Sequence, residues 1–166
     1  MDLEKKKILF ADLDGTLIVT ASGKTFAEDA TDFRIRKDVL DRIRALSPYI
    51  SRLVIVTNQA GIPQYVSNED FQAKLYAVVE FIRRYCDVIC SYQYCTSQDA
   101  ANRMRKPNTG MLAKAERLWF LNMFRKGEML MIGDASGKPG DFSDSDRKCA
   151  ENYGIDYLDV EDFVRS

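Results

Sequence analysis

Apolar residues fall into two kinds of segment that alternate along the chain. Residues 7–12 contain the unbroken run Ile8-Leu9-Phe10-Ala11, which stops at an aspartate. A short apolar run bounded by polar residues predicts a strand buried on both faces. Residues 52–57 (RLVIVT) and 128–134 (EMLMIGD) repeat that pattern, and 87–94 and 155–158 predict two further strands. Between the runs the spacing turns helical. Residues 33–47 place Ile35, Val39, Leu40, Ile43 and Leu46 on one face and end at Ser47-Pro48. Ser67 and Asp70 cap a helix to about residue 85, with Phe71, Leu75, Val78, Ile82 and Tyr85 as its stripe. Helices are also predicted over 109–122, with Leu112, Ala115, Leu118 and Trp119 inward, and over 144–153, stopped by Gly154. Residues 160–164 make a terminal helical turn, and 18–32 lack a period and read as a loop. The alternation predicts an α/β chain: one domain over 1–166, a three-layer Rossmann-like fold with a central parallel sheet. In such sheets chemistry collects at the carboxyl ends of the strands.

Composition narrows the chemistry. The chain has 166 residues, is 46% hydrophobic and carries a net charge of −1. That size and apolar content support a full core. A nearly neutral chain is a poor non-specific coat for nucleic acid, which requires clustered cations, yet it can still recognise a single strand end. Histidine is absent, so imidazole can serve neither as base nor as ligand. The four cysteines, Cys86, Cys90, Cys95 and Cys149, form no C-x-x-C, and no zinc site is expected. The apolar run near the N-terminus is too short for a secretory leader, and no segment reaches membrane-spanning length. Reduced thiols in an intracellular, cytoplasmic protein are expected, with the nucleus left open, and a monomer is favoured.

The strand ends hold the candidate chemistry. The first ends in Asp12-Leu13-Asp14-Gly15-Thr16, the second in Thr57-Asn58-Gln59, and the third in Gly133-Asp134. Lys106-Pro107 leads into the helix near Thr109. Folded into one crevice, Asp12, Asp14 and Asp134 cannot all stay ionised without a cation. A hard ion such as Mg²⁺ suits carboxylate and carbonyl oxygens and offsets repulsion between a carboxylate and an anionic phosphate. A two-step displacement follows from this set. Asp12 attacks phosphorus, while Asp14 protonates the leaving oxygen and then activates water. Thr57 and Lys106 grip the phosphoryl oxygens, Asp134 holds the metal with Asp12, and Gly15 lets backbone amides approach the phosphate. Each element alone has a plainer reading: acidic pairs decorate loops, and Lys-Pro beside a helix is usually a solvated charge. Their joint occurrence at successive strand ends is what points to a phosphoryl site.

These residues resemble the four motifs of the haloacid dehalogenase-like (HAD) phosphatase superfamily: ADLDGTL, VIVTNQ, the lysine of RKP, and MIGD. VTNQAGI, RKPNTGM, GDASGKPGDFSDSDRKCAENYGI and the early SGKTF…DFRI are similar to the 3′-phosphatase domain of polynucleotide kinase/phosphatases. The resemblance implies Asp12 as nucleophile and Asp14 as general acid/base, with Mg²⁺ held by Asp12, the Asp14 carbonyl and Asp134. Asp146, nine residues before Ile155, is assigned to the metal site, with Asp141 and Asp144 as competitors. Asn58 and Arg105 join Gly15, Thr57 and Lys106 as substrate-binding candidates, and Arg103 reads equally well as a solvated charge. SGKT at 22–25 mimics the end of a P-loop, but Ile18 stands where its first glycine belongs, so no ATP site is expected there. The bacterial sugar-phosphate cousins often carry a Cys/His zinc loop that the spacing of Cys86, Cys90 and Cys95 does not match. The two usual insertion points for a cap, before Phe33 and between Thr57 and Lys106, leave no room for one. An open site admits a large substrate. The expected function is a Mg²⁺-dependent phosphomonoesterase removing 3′-phosphates from polynucleotide ends, as in DNA repair. The alternative is a small-metabolite phosphatase of the histidinol-phosphate or heptose-bisphosphate type. A silent phosphate-binding module is disfavoured, because all the motif residues are intact. Phe33, Phe142 and Tyr65, in loops or at element ends, are open as further contacts.

Overall fold

Five parallel strands form the centre of the computed structural model, which describes residues 1–24 and 27–166. In chain order, β1 (Ile8–Ala11) is followed by a short antiparallel ribbon, β2 (Ile18–Val19) with β3 (Arg34–Ile35). Then come α1 (Lys37–Leu46), β4 (Arg52–Asn58), α2 (Asn68–Cys86), β5 (Cys90–Cys95) and α3 (Gly110–Leu118). β6 (Met129–Gly133), α4 (Ser145–Tyr153), β7 (Asp156–Asp159) and α5 (Val160–Arg165) complete the chain. The spatial order β5-β4-β1-β6-β7 puts β1 in the middle of the sheet.

The unbroken apolar runs become the inner strands because both their faces are covered. Every residue of β1 and β6 is buried. Side chains alternate between the faces. Leu9, Ala11, Leu53, Ile55, Leu130 and Ile132 join the core that includes residues of α1, α2 and α5. Ile8, Phe10, Val54, Val56, Met129 and Met131 join the opposite core, with Met111, Leu112 and Ala115 of α3 and Cys149 and Ala150 of α4. The cysteines pack in these cores as free, buried thiols. Burial pushes the Cys86 thiol up to about 11 and that of Cys90 up to about 12.

Three boundaries differ from the sequence reading. The helix expected from residue 33 starts at Lys37, because Arg34 and Ile35 pair with Val19 and Ile18 instead. Part of the predicted 18–32 loop is therefore strand. The helix expected over 109–122 stops at Leu118. Phe120 adopts a left-handed backbone (φ 54°), and a 3-10 turn follows over Leu121–Met123. Leu118 consequently faces outward, at 47% exposure. Trp119 packs half-buried at the edge of the core, beneath the Arg52 guanidinium. The P-loop-like SGKT stretch ends at Thr25, and Thr25 and Phe26 lie outside the described residues.

Candidate active site

The sheet register explains why the acids meet. Ala11 pairs with Ile55 on one side and Ile132 on the other. The next residue, Asp12, is therefore level with Val56 and Gly133, and its amide donates to the Ile132 carbonyl at 3.1 Å. Period-two alternation sends Asp12 to the same side as Phe10, the side of α3 and α4. The loop before α3 supplies Lys106 there, and the first turn of α4 supplies Asp146. One oxygen from each of Asp12, Asp134 and Asp146 lies within 4.8 Å of the others. Asp12 and Asp146 are buried, while Asp134 keeps an exposed side at the mouth.

Lys106 is the cation inside this group. Its ammonium donates to Asp12 Oδ1 at 2.5 Å and to the Val56 carbonyl at 2.8 Å, and it lies 2.7 Å from Asp146 Oδ1. The 2.7 Å separation is an ion pair without hydrogen-bond alignment, which leaves Asp146 Oδ1 without a hydrogen bond. Burial favours a neutral lysine, but Asp12 and Asp146 outweigh it and raise the affinity of Lys106 for its proton. Burial pushes the Asp12 carboxyl well above the ordinary carboxylate range; Lys106 opposes the rise, and Asp146 and Asp134 add to it. Partial burial and then Asp146 push Asp134 up to about 6. Three carboxylates against one ammonium leave a surplus of negative charge. Hard oxygen donors so arranged suit a divalent cation.

Two glycines make the crowding possible. A Cβ on Gly15 would stand 2.0 Å from Asp134 Oδ2, and the residue's φ is +84°. A Cβ on Gly133 would stand 2.2 Å from Asp146 Oδ2. Gly15 also turns the chain: its amide donates to the Ile18 carbonyl at 2.7 Å, which folds residues 14–18 back into β2. This turn brings Asp14 to the mouth, with its side chain 53% exposed.

The remaining candidates divide. Thr57 is 1% exposed at the end of β4, and its Oγ1 accepts from Gln59 Nε2 at 2.9 Å. Asn58 uses both ends of its amide on the backbone of Lys106, accepting from its N–H at 2.9 Å and donating to its carbonyl at 3.0 Å. Asn58 thereby sets the place of the lysine. Arg105 donates to the Ser97 carbonyl at 3.0 Å, which ties its loop to the segment after β5. Of the three competing acids, Asp146 alone joins the cluster. Asp141 accepts from Ser136 and Lys138 within its own loop, and Asp144 pairs with Lys148 on the surface. Sequence reasoning passed over Gln59, whose Nε2 donates to Asp14 Oδ2 at 2.7 Å, and Lys74, whose ammonium lies 3.9 Å from Asp14 Oδ1. Gln59 lies within VTNQAGI, where sequence position alone assigns it no role. Lys74 carried one signal, a lysine beside the apolar stripe of Phe71, Leu75 and Val78.

Several known proteins are similar to this chain. The chain is 37% identical over 164 residues to the bifunctional polynucleotide phosphatase/kinase of Schizosaccharomyces pombe, an alignment covering 95% of the chain and 37% of that relative. It is 31% identical over 135 residues to a D-glycero-beta-D-manno-heptose-1,7-bisphosphate 7-phosphatase of Mesorhizobium japonicum, covering 76% of the chain and 59% of the relative. The chain thus spans about a third to three-fifths of the length of these two relatives. The crystal structure of a D,D-heptose 1,7-bisphosphate phosphatase from B. bronchiseptica, complexed with magnesium and phosphate, has the same fold: TM-score 0.66, 16% identity, 96% of each chain covered. The family model described as polynucleotide kinase 3 phosphatase matches residues 7–164. With a match across almost its whole length, the chain belongs to the polynucleotide kinase 3 phosphatase family.

Proposed function

We propose that this protein is a Mg²⁺-dependent phosphomonoesterase that removes 3′-phosphates from polynucleotide ends through an aspartyl-phosphate intermediate. The observation that carries the chemistry is the buried cluster of Asp12, Lys106 and Asp146 with Asp134 at its mouth. Asp12 is the nucleophile: a carboxylate oxygen forms a bond to phosphorus as the bond to the leaving oxygen breaks. Asp14, exposed two residues on, gives its proton to that oxygen and afterwards takes one from the water that cleaves the acyl phosphate. Lys106 and Thr57 steady the phosphoryl oxygens, with Gly15 admitting them to the backbone and Asn58 holding Lys106 in place. Asp12, Asp134, the Asp14 carbonyl and Asp146 are the groups suited to hold Mg²⁺. When bound, that ion supplies charge neutralisation between the carboxylates and the phosphate.

The substrate class rests on family membership and on identity across 95% of the chain to a polynucleotide phosphatase/kinase. A half-exposed Asp14 also suits a substrate too large to be enclosed. The 31% identity to a heptose-bisphosphate phosphatase supports the second reading, a small-metabolite phosphatase. Turnover of oligonucleotides bearing 3′- or 5′-phosphate, histidinol phosphate and heptose bisphosphate, with Mg²⁺ and with chelator, separates the two. A 3′-phosphorylated end should be preferred by at least about tenfold in kcat/KM, roughly 1.4 kcal/mol of differential transition-state binding. Preference for a sugar phosphate would reverse the assignment. Asp12→Asn should lower kcat by about a thousandfold or more, and retained hydrolysis would remove Asp12 from its role.

A further inference from the structure

Lys74 is a charge in an unusual place. It stands on α2 between Phe71, which is fully buried, and Val78, at 1% exposure, and its own side chain is 9% exposed. The ammonium also lies 5.5 Å from the Phe71 ring centre. Ordering so much of a lysine against a core is costly unless its charge has a partner. Among the described residues, the carboxylate within 4 Å of it is that of Asp14, at 3.9 Å from Oδ1. The other oxygen, Oδ2, accepts from Gln59 Nε2 at 2.7 Å, and the same amide reaches Thr57 Oγ1 at 2.9 Å. An otherwise half-exposed aspartate is thus approached on both oxygens, from the end of β4 and from α2.

We infer that Gln59 and Lys74 are positioning residues that orient the Asp14 carboxyl toward the leaving oxygen. The inference rests on Asp14 being the acid of the proposed reaction. Mounted on a turn at the mouth, Asp14 leaves 53% of its side chain to solvent. The amide and the ammonium come from a strand end and a helix anchored in the core, so they restrict it from two directions. As the Asp12–phosphorus bond forms, the bond from phosphorus to the leaving oxygen breaks and the proton passes from Asp14 to that oxygen. Misplacing a transfer group by about 1 Å costs on the order of a hundredfold. Because Gln59 also touches Thr57, it couples the acid to the phosphate grip.

The leaving group discriminates orientation from general damage. A nitrophenolate departs without a proton, whereas a sugar alkoxide needs one. First-turnover release from p-nitrophenyl phosphate and from a 3′-phosphorylated oligonucleotide should be compared for wild type, Lys74→Met, Lys74→Arg, Gln59→Ala and Asp14→Asn. For Lys74→Met and Gln59→Ala, the loss of first-turnover rate on the oligonucleotide should exceed the loss on the aryl ester by about tenfold or more, within the range of general acid catalysis. Lys74→Arg should recover most of it. Equal losses on both substrates, no loss on either, or weaker oligonucleotide binding with the saturating first-turnover rate intact would overturn the positioning role. If Asp14→Asn itself lacks the leaving-group bias, the acid assignment fails. If Asp14→Asn has it and both positioning variants lack it, only the present inference fails.

Discussion

At the scale of single residues, the site is a compromise between like charges. Asp12, Asp134 and Asp146 share a space that Lys106 alone cannot neutralise. Asp134 makes the consequence measurable. Partial burial and the neighbouring Asp146 push its carboxyl up to about 6 from an ordinary 3.8. A raised carboxyl holds its proton in the folded chain after the unfolded chain has released it. Its ionisation therefore costs stability as pH rises from about 4 through about 6. In chelator, Asp134→Asn should melt above wild type by a margin that widens across that window and then levels off. Mg²⁺ should narrow the margin by stabilising wild type alone. Melting curves from pH 4.5 to 7.5 test both statements, and a margin that shrinks with pH would mean that Asp134 is stabilised by its surroundings.

At the scale of elements, strand ends and loops are tied so that a lysine distant in sequence lies beside the first strand. The Asn58 amide closes two hydrogen bonds on the Lys106 backbone across 48 residues of chain. On the other side, Arg36 donates to the Gly15 carbonyl at 3.2 Å and pairs with Asp38 and with Glu161 of α5, joining the turn after β1 to the ribbon and the last helix. Asn58→Ala leaves a part-buried N–H and carbonyl without partners, at a cost of about 1–3 kcal/mol. Denaturant unfolding should show that loss with an unchanged m-value. Hydrolysis should fall more than stability alone explains, because Lys106 loses its anchor. Unaltered stability would mean that water replaces the amide on both groups. The element boundaries that the sequence misplaced have a similar origin. Ile35 satisfies a helical period, yet Arg34 and Ile35 are taken up by pairing with β2, a contact that spacing does not encode.

At the scale of the whole molecule, charge and exposure decide what can approach. The net charge of −1 and the acid-rich centre predict that the proposed substrate, a nucleic-acid end, would be held through few phosphate contacts. The logarithm of KM for a 3′-phosphorylated oligonucleotide should therefore vary with the logarithm of salt concentration with a slope below about 3. A slope near that of an extended basic surface would indicate contacts along the duplex. Much of the architecture was legible because parallel strands buried on both faces must be unbroken apolar runs, and the helices between them must carry one apolar stripe. Asp12, Asp14, Thr57 and Asp134 were legible as candidates because each stands at or just past the end of an apolar strand run, and Lys106 because Lys-Pro leads into a helix. The sequence by itself determined the α/β alternation, the absence of imidazole chemistry and the residues that could carry a phosphoryl group. Only the tertiary structure decided that Asp146, and neither Asp141 nor Asp144, joins Asp12, that Asn58 serves Lys106, and that Gln59 and Lys74 converge on Asp14. Those choices depend on strand register and on the rotation of α2 and α4 against the sheet. They arise from packing between segments far apart in the chain, which local spacing does not specify.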